Sequence, residues 1–326
     1  MTRWLKYLVA ASSVAFLAAC GGGDDDDDTA TAPSIVEIAQ SDPNFSTLVA
    51  AVVKADLVAT LSGDTQLTVF APTNAAFDAA ARAIGLADGA TLVSDLPADA
   101  LAKILTYHVV AGDNPSTALT AGPLNTLYNF EGGPAVLGLS LGGGVTLTDA
   151  LGTTATVSTP DIDARNGVVH VIDKVLVPPG VLNLVQMAQL HPAFSTLVSA
   201  VVEADLAATL SATGPFTVFA PTNDAFAAAL AELGLTAEQL LASPDLAAIL
   251  TYHVVSGDVR AADVAALVSS GPVDVTTVQG ATFRVGTDLR ITDGRSRTAT
   301  LLATDVVASN GVIHVIDAVL LPPVAP

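Results

Sequence analysis

The chain has almost no sulfur chemistry to offer. Cys20 is its only cysteine, so no intramolecular disulfide can brace it. It holds one tryptophan, and aromatic residues make up only 5% of the sequence. Positive charge is scarce as well: 12 basic residues stand against 32 acidic ones, a net charge of −20. That balance excludes nucleic-acid binding, which needs cationic grooves to neutralise phosphate. It also excludes docking to anionic lipid headgroups by charge. No CxxC, HExxH or phosphate-cradling GK[ST] pattern occurs. What remains is rich in Ala, Val and Leu, with 51% of residues hydrophobic. Packed cores of small apolar side chains must therefore do the work that cysteines and aromatics do elsewhere.

The sequence is present twice. Phe45-Ser46-Thr47-Leu48-Val49 returns as Phe194-Ser195-Thr196-Leu197-Val198. Thr68-Val69-Phe70-Ala71-Pro72-Thr73-Asn74 returns as Thr217-Val218-Phe219-Ala220-Pro221-Thr222-Asn223. Thr106-Tyr107-His108-Val109-Val110 returns as Thr251-Tyr252-His253-Val254-Val255. Asn166-Gly167-Val168-Val169-His170-Val171-Ile172-Asp173 returns as Asn310-Gly311-Val312-Ile313-His314-Val315-Ile316-Asp317. A period of roughly 145 residues is a domain, not a solenoid repeat, and it is long enough for an independent core. The proline pairs Pro178-Pro179 and Pro322-Pro323 close the two copies at the same place. The boundaries that follow are 34–179 for the first domain and 180–326 for the second, with a short, stiff junction that restricts their relative orientation.

Ahead of the repeats, residues 1–20 read as an export signal: Arg3 and Lys6, then an apolar run over 8–19 too short for an ordinary span. It ends in Leu17-Ala18-Ala19-Cys20, which resembles a bacterial lipobox. The resemblance implies that Cys20 carries lipid and anchors the chain to a membrane. Gly21 in the next position implies the outer membrane, with the domains facing the periplasm or the cell surface. Residues 21–33 open with three glycines and five aspartates and read as a flexible tether.

Within a copy, helical signals come first. Asp42-Pro43 reads as a cap with proline in the first turn. Phe45, Leu48, Val49, Val52 and Val53 keep helical spacing, as do Phe194, Leu197, Val198, Val201 and Val202, which predicts one buried stripe in each copy. Residues 67–70 read as a strand stopped by Pro72. Thr73 or Asn74 then caps an Ala-rich helix, and another helix covers about 99–105 before the chain turns extended at Tyr107-His108. Residues 136–148 and 273–292 are strand-like. The last strand follows Asn166-Gly167, a hairpin dipeptide in which both residues can take positive φ. Helices followed by strands, without βαβ alternation, indicate an α+β domain.

These blocks resemble the fasciclin (FAS1) domain family in both copies, in order, with the Tyr-His pair between the two signature blocks. The resemblance implies a wedge of two β-sheets flanked by helices, repeated in tandem. It also implies a non-enzymatic role in adhesion or matrix and protein interaction, with an envelope, matrix or cell-surface protein or polysaccharide as partner. Family precedent places adhesion at the Tyr-His segment and at an Asp-Ile element, which implies Tyr107, His108, Asp161 and Ile162 as interaction residues, with Tyr252, His253, Asp305 and Val306 in the second copy. Some members bind apolar pigments, so a carrier of a carotenoid- or lipid-like molecule is the alternative.

Candidates for chemistry are few. Thr73, Asn74, Asn166, Gly167 and His170, with Thr222, Asn223, Asn310, Gly311 and His314, read as structural members of the motifs. An apolar run on both sides of His170 predicts a covered strand with a core imidazole satisfied by a backbone carbonyl or a hydroxyl. No ligand spacing supports a metal site, and no cofactor is expected. Gly138-Leu139-Ser140-Leu141-Gly142 fits G-x-S-x-G, but glycines and a strand follow it instead of the helix that a nucleophile elbow needs. Asp161-x-Asp163 hints at a calcium loop, yet Ile172 stands where the bidentate Glu belongs.

Overall fold

The computed structural model describes residues 32–324. The signal, Cys20 and nearly all of the tether lie outside the described residues. Each copy begins with a side chain closing a helix. Ser34 caps Ile35–Ser41 in a reciprocal capping box with Glu37, and Asn183 does the same for Leu184–Leu190 with Gln186. Asp42 caps the single turn Pro43–Phe45, which leads into Ser46–Lys54. The stripe expected there is buried at Phe45, Leu48 and Val52. Val53, in contrast, is 58% exposed and its counterpart Val202 60% exposed. The stripe is wider than the face its neighbours cover, so its last position rolls out to the rim in both copies.

In the first copy the strands are β1 (Leu67–Pro72), β2 (Val109–Ala111), β3 (Gly122–Phe130), β4 (Gly133–Ser140), β5 (Thr146–Thr148), β6 (Thr154–Ala164) and β7 (Gly167–Ile172). β1 and β7 are parallel, in register from Leu67 opposite Gly167 to Pro72 opposite Ile172, and every residue of both is buried. The remaining pairings are antiparallel and close the seven strands into a ring. The ring forms because β6 is long enough to pair first with β5 and then with β7, and because β3 reaches back to β2. The two-sheet core is therefore joined at both corners. Helices Asn74–Ala83, Gly89–Asp95 and Ala98–Tyr107 cover one side of β1 and β7. A second cluster around Phe70, Tyr107, Leu137, Leu147 and Ile172 fills the space between the sheets.

The second copy repeats this with β8 (Phe216–Pro221), β9 (Val254–Ser256), β10 (Val273–Thr276), β11 (Thr282–Val285), β12 (Ile291–Thr292), β13 (Thr298–Ala299), β14 (Leu301–Ala308) and β15 (Gly311–Ile316). Here the ring is open. One sheet runs β14-β15-β8-β9 and the other β10-β11-β12-β13. The counterpart of β6 is split at Thr300, and a helix, Ala261–Val268, occupies the stretch between β9 and β10.

The second domain sits directly on the first. Leu182 and Leu190 close an apolar cavity lined by Ile84, Leu92, Leu96 and Ile104. Arg260 reaches across to Glu131 at 3.0 Å. Glycine is required at the junction, because a Cβ on Gly180 would lie 2.4 Å from the Phe130 ring.

Candidate functional site

The Tyr-His pair does not begin a strand. Helix Ala98–Tyr107 runs through Tyr107, and His108 is its C-cap in helical conformation. The ring then turns inward. Its Nδ1–H donates to the Ile104 carbonyl at 2.8 Å, and its Nε2 accepts from the Leu176 N–H at 2.9 Å. His253 repeats both bonds, to Ile249 at 2.8 Å and from Leu320 at 2.8 Å. Each imidazole thus stitches the end of a helix to the segment beyond the last strand. Burial, foremost, pushes both down to about 4, so they are neutral at ordinary pH. Tyr107 is fully buried, its hydroxyl donating to the Val136 carbonyl at 3.0 Å and its ring meeting the edge of Tyr128. Tyr252 donates to Thr282 at 2.7 Å. Burial raises both phenols above their usual range. Tyr107, His108, Tyr252 and His253, expected as interaction residues, therefore present no contact surface: they lie at 0–2% exposure and their polar atoms are spent inside.

The Asp-Ile element is nearer the surface. β6 slips register against β7 between Thr159 and Ile162, and Asp161 sits in this bulge with φ of 59°. Asp305 occupies the same bulge in β14, with φ of 60°. The bulge is locked from beneath by the second histidine. His170 accepts the Asp161 N–H on Nδ1 at 3.2 Å and donates from Nε2 to the Asn114 carbonyl at 3.0 Å. His314 does the same with Asp305 at 3.3 Å and Val259 at 2.8 Å, and burial pushes its imidazole below the ordinary value. The Asp161 carboxylate accepts from the N–H of Ser116 at 2.6 Å and from its hydroxyl, which holds it below the usual carboxylate range. Asp305 instead accepts from the N–H of Ala261 at 2.9 Å, opening helix Ala261–Val268. Ile162 is half-buried on the helical core, and Val306 is buried at 7% exposure. Asp161 is thus brought together with His170, not with Tyr107 and His108.

Among the motif residues one open choice is settled and one expectation changes. Thr73 and Thr222 are the N-caps, accepting from Ala76 and Ala225. Asn74 instead reaches back to the first helices, accepting from Thr47 at 2.9 Å and donating to Pro43 at 2.8 Å, and Asn223 does likewise with Thr196 and Pro192. In the hairpin dipeptides only the glycines take positive φ: Gly167 at 132° and Gly311 at 154°. Their main constraint is space, because a Cβ would lie 1.8 Å from the Leu67 oxygen and 1.9 Å from the Phe216 oxygen. Asn166 and Asn310 serve through their side chains. Asn166 accepts from Ile35 N–H at 3.0 Å and donates to the Leu61 carbonyl at 2.9 Å, pinning the first helix to the last hairpin. Asn310 does the same for Leu184 and Leu210.

Each copy also holds a buried carboxylate outside the candidate residues. Asp149 accepts from the backbone of Leu151, Thr153 and Val177 and from the Lys174 ammonium, and Asp293 accepts from the backbone N–H groups of Arg295, Arg297 and Leu321. The repeated pairs Thr148-Asp149 and Thr292-Asp293 carry the signal for it. Among the described residues, every buried side-chain nitrogen or oxygen has a hydrogen-bond partner, and no three His, Cys, Asp or Glu side chains gather as a metal site. Nor is any helix among them long and apolar enough to cross a membrane.

The histidine and asparagine stitches fall on the blocks that define a known domain. A fasciclin domain model matches residues 43–178 and 192–322. The chain belongs to the fasciclin domain family. It is 50% identical to the Synechocystis protein sll1483 over 147 residues, covering 44% of this chain and 74% of that one. Over 152 residues it is 34% identical to the cell surface glycolipoprotein MPB83 of Mycobacterium bovis, covering 44% and 60% of the two chains. It is also 34% identical over 165 residues to the transforming growth factor-beta-induced protein ig-h3 of Sus scrofa, which covers 50% of this chain but only 22% of that longer protein. A solved FAS1 domain pair from the insect cell adhesion molecule fasciclin I aligns with 83% of this chain and 97% of its own, at a TM-score of 0.45 and 22% identity.

Proposed function

We propose that the protein is a non-enzymatic, lipid-anchored component of the cell envelope that mediates adhesion or interaction with matrix, polysaccharide or another envelope protein through its paired fasciclin domains. One observation carries the reading: the polar groups of the shared motifs are consumed in holding the fold, while an exposed apolar side chain, Val53 or Val202, is presented at the same place in each copy. Two copies of one surface suit avidity toward a repeated or extended partner. The lipobox resemblance at Cys20 supports an anchor, and the similarity to a cell surface glycolipoprotein supports the same location. Cells carrying Val53→Glu with Val202→Glu should lose attachment or aggregation while keeping the protein at its normal level. Attachment equal to the parent's, in this variant and in a deletion strain, would overturn the reading. Cys20→Ser should move the protein out of the membrane fraction.

The carrier alternative has one feature in its favour. Equivalent apolar grooves lie beneath the first helices of both copies, one lined by Val36, Val52 and Leu61 and the other by Val185, Val201 and Leu210. The free space is only about 30 and 40 Å³. At the ~10–15 Å³ each water needs, that is room for a few waters and not for a pigment unless the helices part. Native mass spectrometry of the membrane-extracted protein separates the readings, since a carrier leaves with a bound pigment or lipid mass.

A further inference from the structure

The first domain has a face that the second domain covers, and the second domain has the same face with nothing over it among the described residues. Ile84-Gly85-Leu86 at the end of helix Asn74–Ala83 corresponds to Leu233-Gly234-Leu235 at the end of helix Asn223–Leu233. In the first domain both apolar residues are half-buried, and Leu182 and Leu190 of the second domain seal the cavity beside them. In the second domain Leu233 and Leu235 are 39% and 38% exposed, and the matching cavity is lined by that domain's own Leu233, Leu240, Ile249 and Leu321. The face is thus a docking face by construction, used once within the chain and left open once.

We propose that a second copy of this chain covers it, tail to tail, in a two-fold dimer through the second domains. Head-to-tail stacking would repeat the internal junction, but the required side chains are missing at the head: Ala32, Pro33 and Ser41 stand where Val181, Leu182 and Leu190 supply the apolar contacts. A two-fold interface needs only the face itself. Its rim is also suited to self-contact. In a chain of net charge −20, this end holds arginines beside its acids: Arg297 pairs with Glu232 at 2.8 Å, and Arg295, bonded to the Pro322 carbonyl, has no carboxylate partner among the described residues. Glu238 stands exposed on the neighbouring helix, Ala237–Leu241. This end therefore meets a second copy with both signs of charge, where the wholly acidic stretches of the surface would repel one.

The test uses the full chain extracted in detergent from its own membrane. Sedimentation should show a dimer that Leu235→Glu weakens at least ten-fold, with an unchanged urea midpoint showing that the fold is intact. Leu235→Cys should cross-link to itself on mild oxidation, well beyond the parent chain, whose only cysteine, Cys20, is capped by lipid under the proposed anchor. Two results overturn the proposal. One is a parent chain that stays monomeric at every concentration. The other is Leu235→Cys chains that link to Ser41→Cys chains but not to one another, which means head-to-tail association.

Discussion

Replacing Asn166 by glycine separates two accounts of the same dipeptide. If Asn166 were there for its backbone, glycine would serve at least as well, since Asn-Gly turns draw on positive φ and glycine takes it freely. The structure gives it a different duty. Its amide side chain is 1% exposed and makes two buried bonds, at 3.0 Å from Ile35 N–H and 2.9 Å to the Leu61 carbonyl. Removing the side chain leaves both groups buried without a partner, at roughly 1–3 kcal/mol each. A loss of about 2–6 kcal/mol follows, and at a urea dependence of ~2 kcal/mol per molar the midpoint of the first domain falls by about 1–3 M. Asn166→Gly and Asn166→Ala should be equally harmful. Hydrogen exchange should place the damage in Ile35–Ser41 and Val58–Ser62, not in the turn. Because two domains unfold in one chain, the exchange data assign the transition. An Asn166→Gly variant within about 0.5 kcal/mol of the parent would refute the reasoning.

Gly167→Ala and Gly311→Ala should each unfold their own domain, read as loss of one of two thermal transitions, because the added carbon meets a backbone oxygen at under 2 Å. Acid should weaken both domains in one window. His108 and His253 titrate at about 4 when folded and near 6.5 when not, so the unfolded chain binds more protons between those values. Stability should therefore fall as pH drops from 6.5 towards 4, by up to roughly 3 kcal/mol per histidine, and these two groups should add no further loss below that; urea titrations across the range check it. Val53→Glu with Val202→Glu should change folding stability by no more than ~0.5 kcal/mol, so a large drop in melting temperature would show that these side chains belong to the core.

The duplication made most of the fold legible. Repeated blocks located two domains, the α+β order and the helix caps without reference to any contact. What the sequence hid was direction. Helical spacing put Val53 on the buried stripe, but how far neighbouring helices reach over that stripe depends on segments distant in the chain. Tyr107 and His108 sit where apolar periodicity cannot tell a helix end from a strand start, so the pattern alone makes the C-cap look extended. His170 was expected to rest on a backbone carbonyl and does so at Asn114; its second partner, the N–H of Asp161, required knowing of a bulge that no residue type announces. The Asn-Gly pattern locates the turn at Asn166 but not the task of its side chain, whose partners lie 131 and 105 residues away.

The parallel pairing of β1 with β7 has a consequence for the order of events during synthesis. β7 is the last strand of its domain and lies between β1 and β6, so β1 has no partner on that side until residues 167–172 exist. The same holds for β8 and β15. Neither domain can close its centre from a partial chain, and a chain emerging from its N-terminus stays incomplete almost to the end of each copy. Under the proposed envelope location that delay is useful, because a chain that cannot finish folding early is still thin enough to thread through a membrane. Truncation just before Gly167 should accordingly leave the whole first copy unfolded, where loss of a short strand away from β1 and β7, such as the three residues of β5, would leave most of it standing.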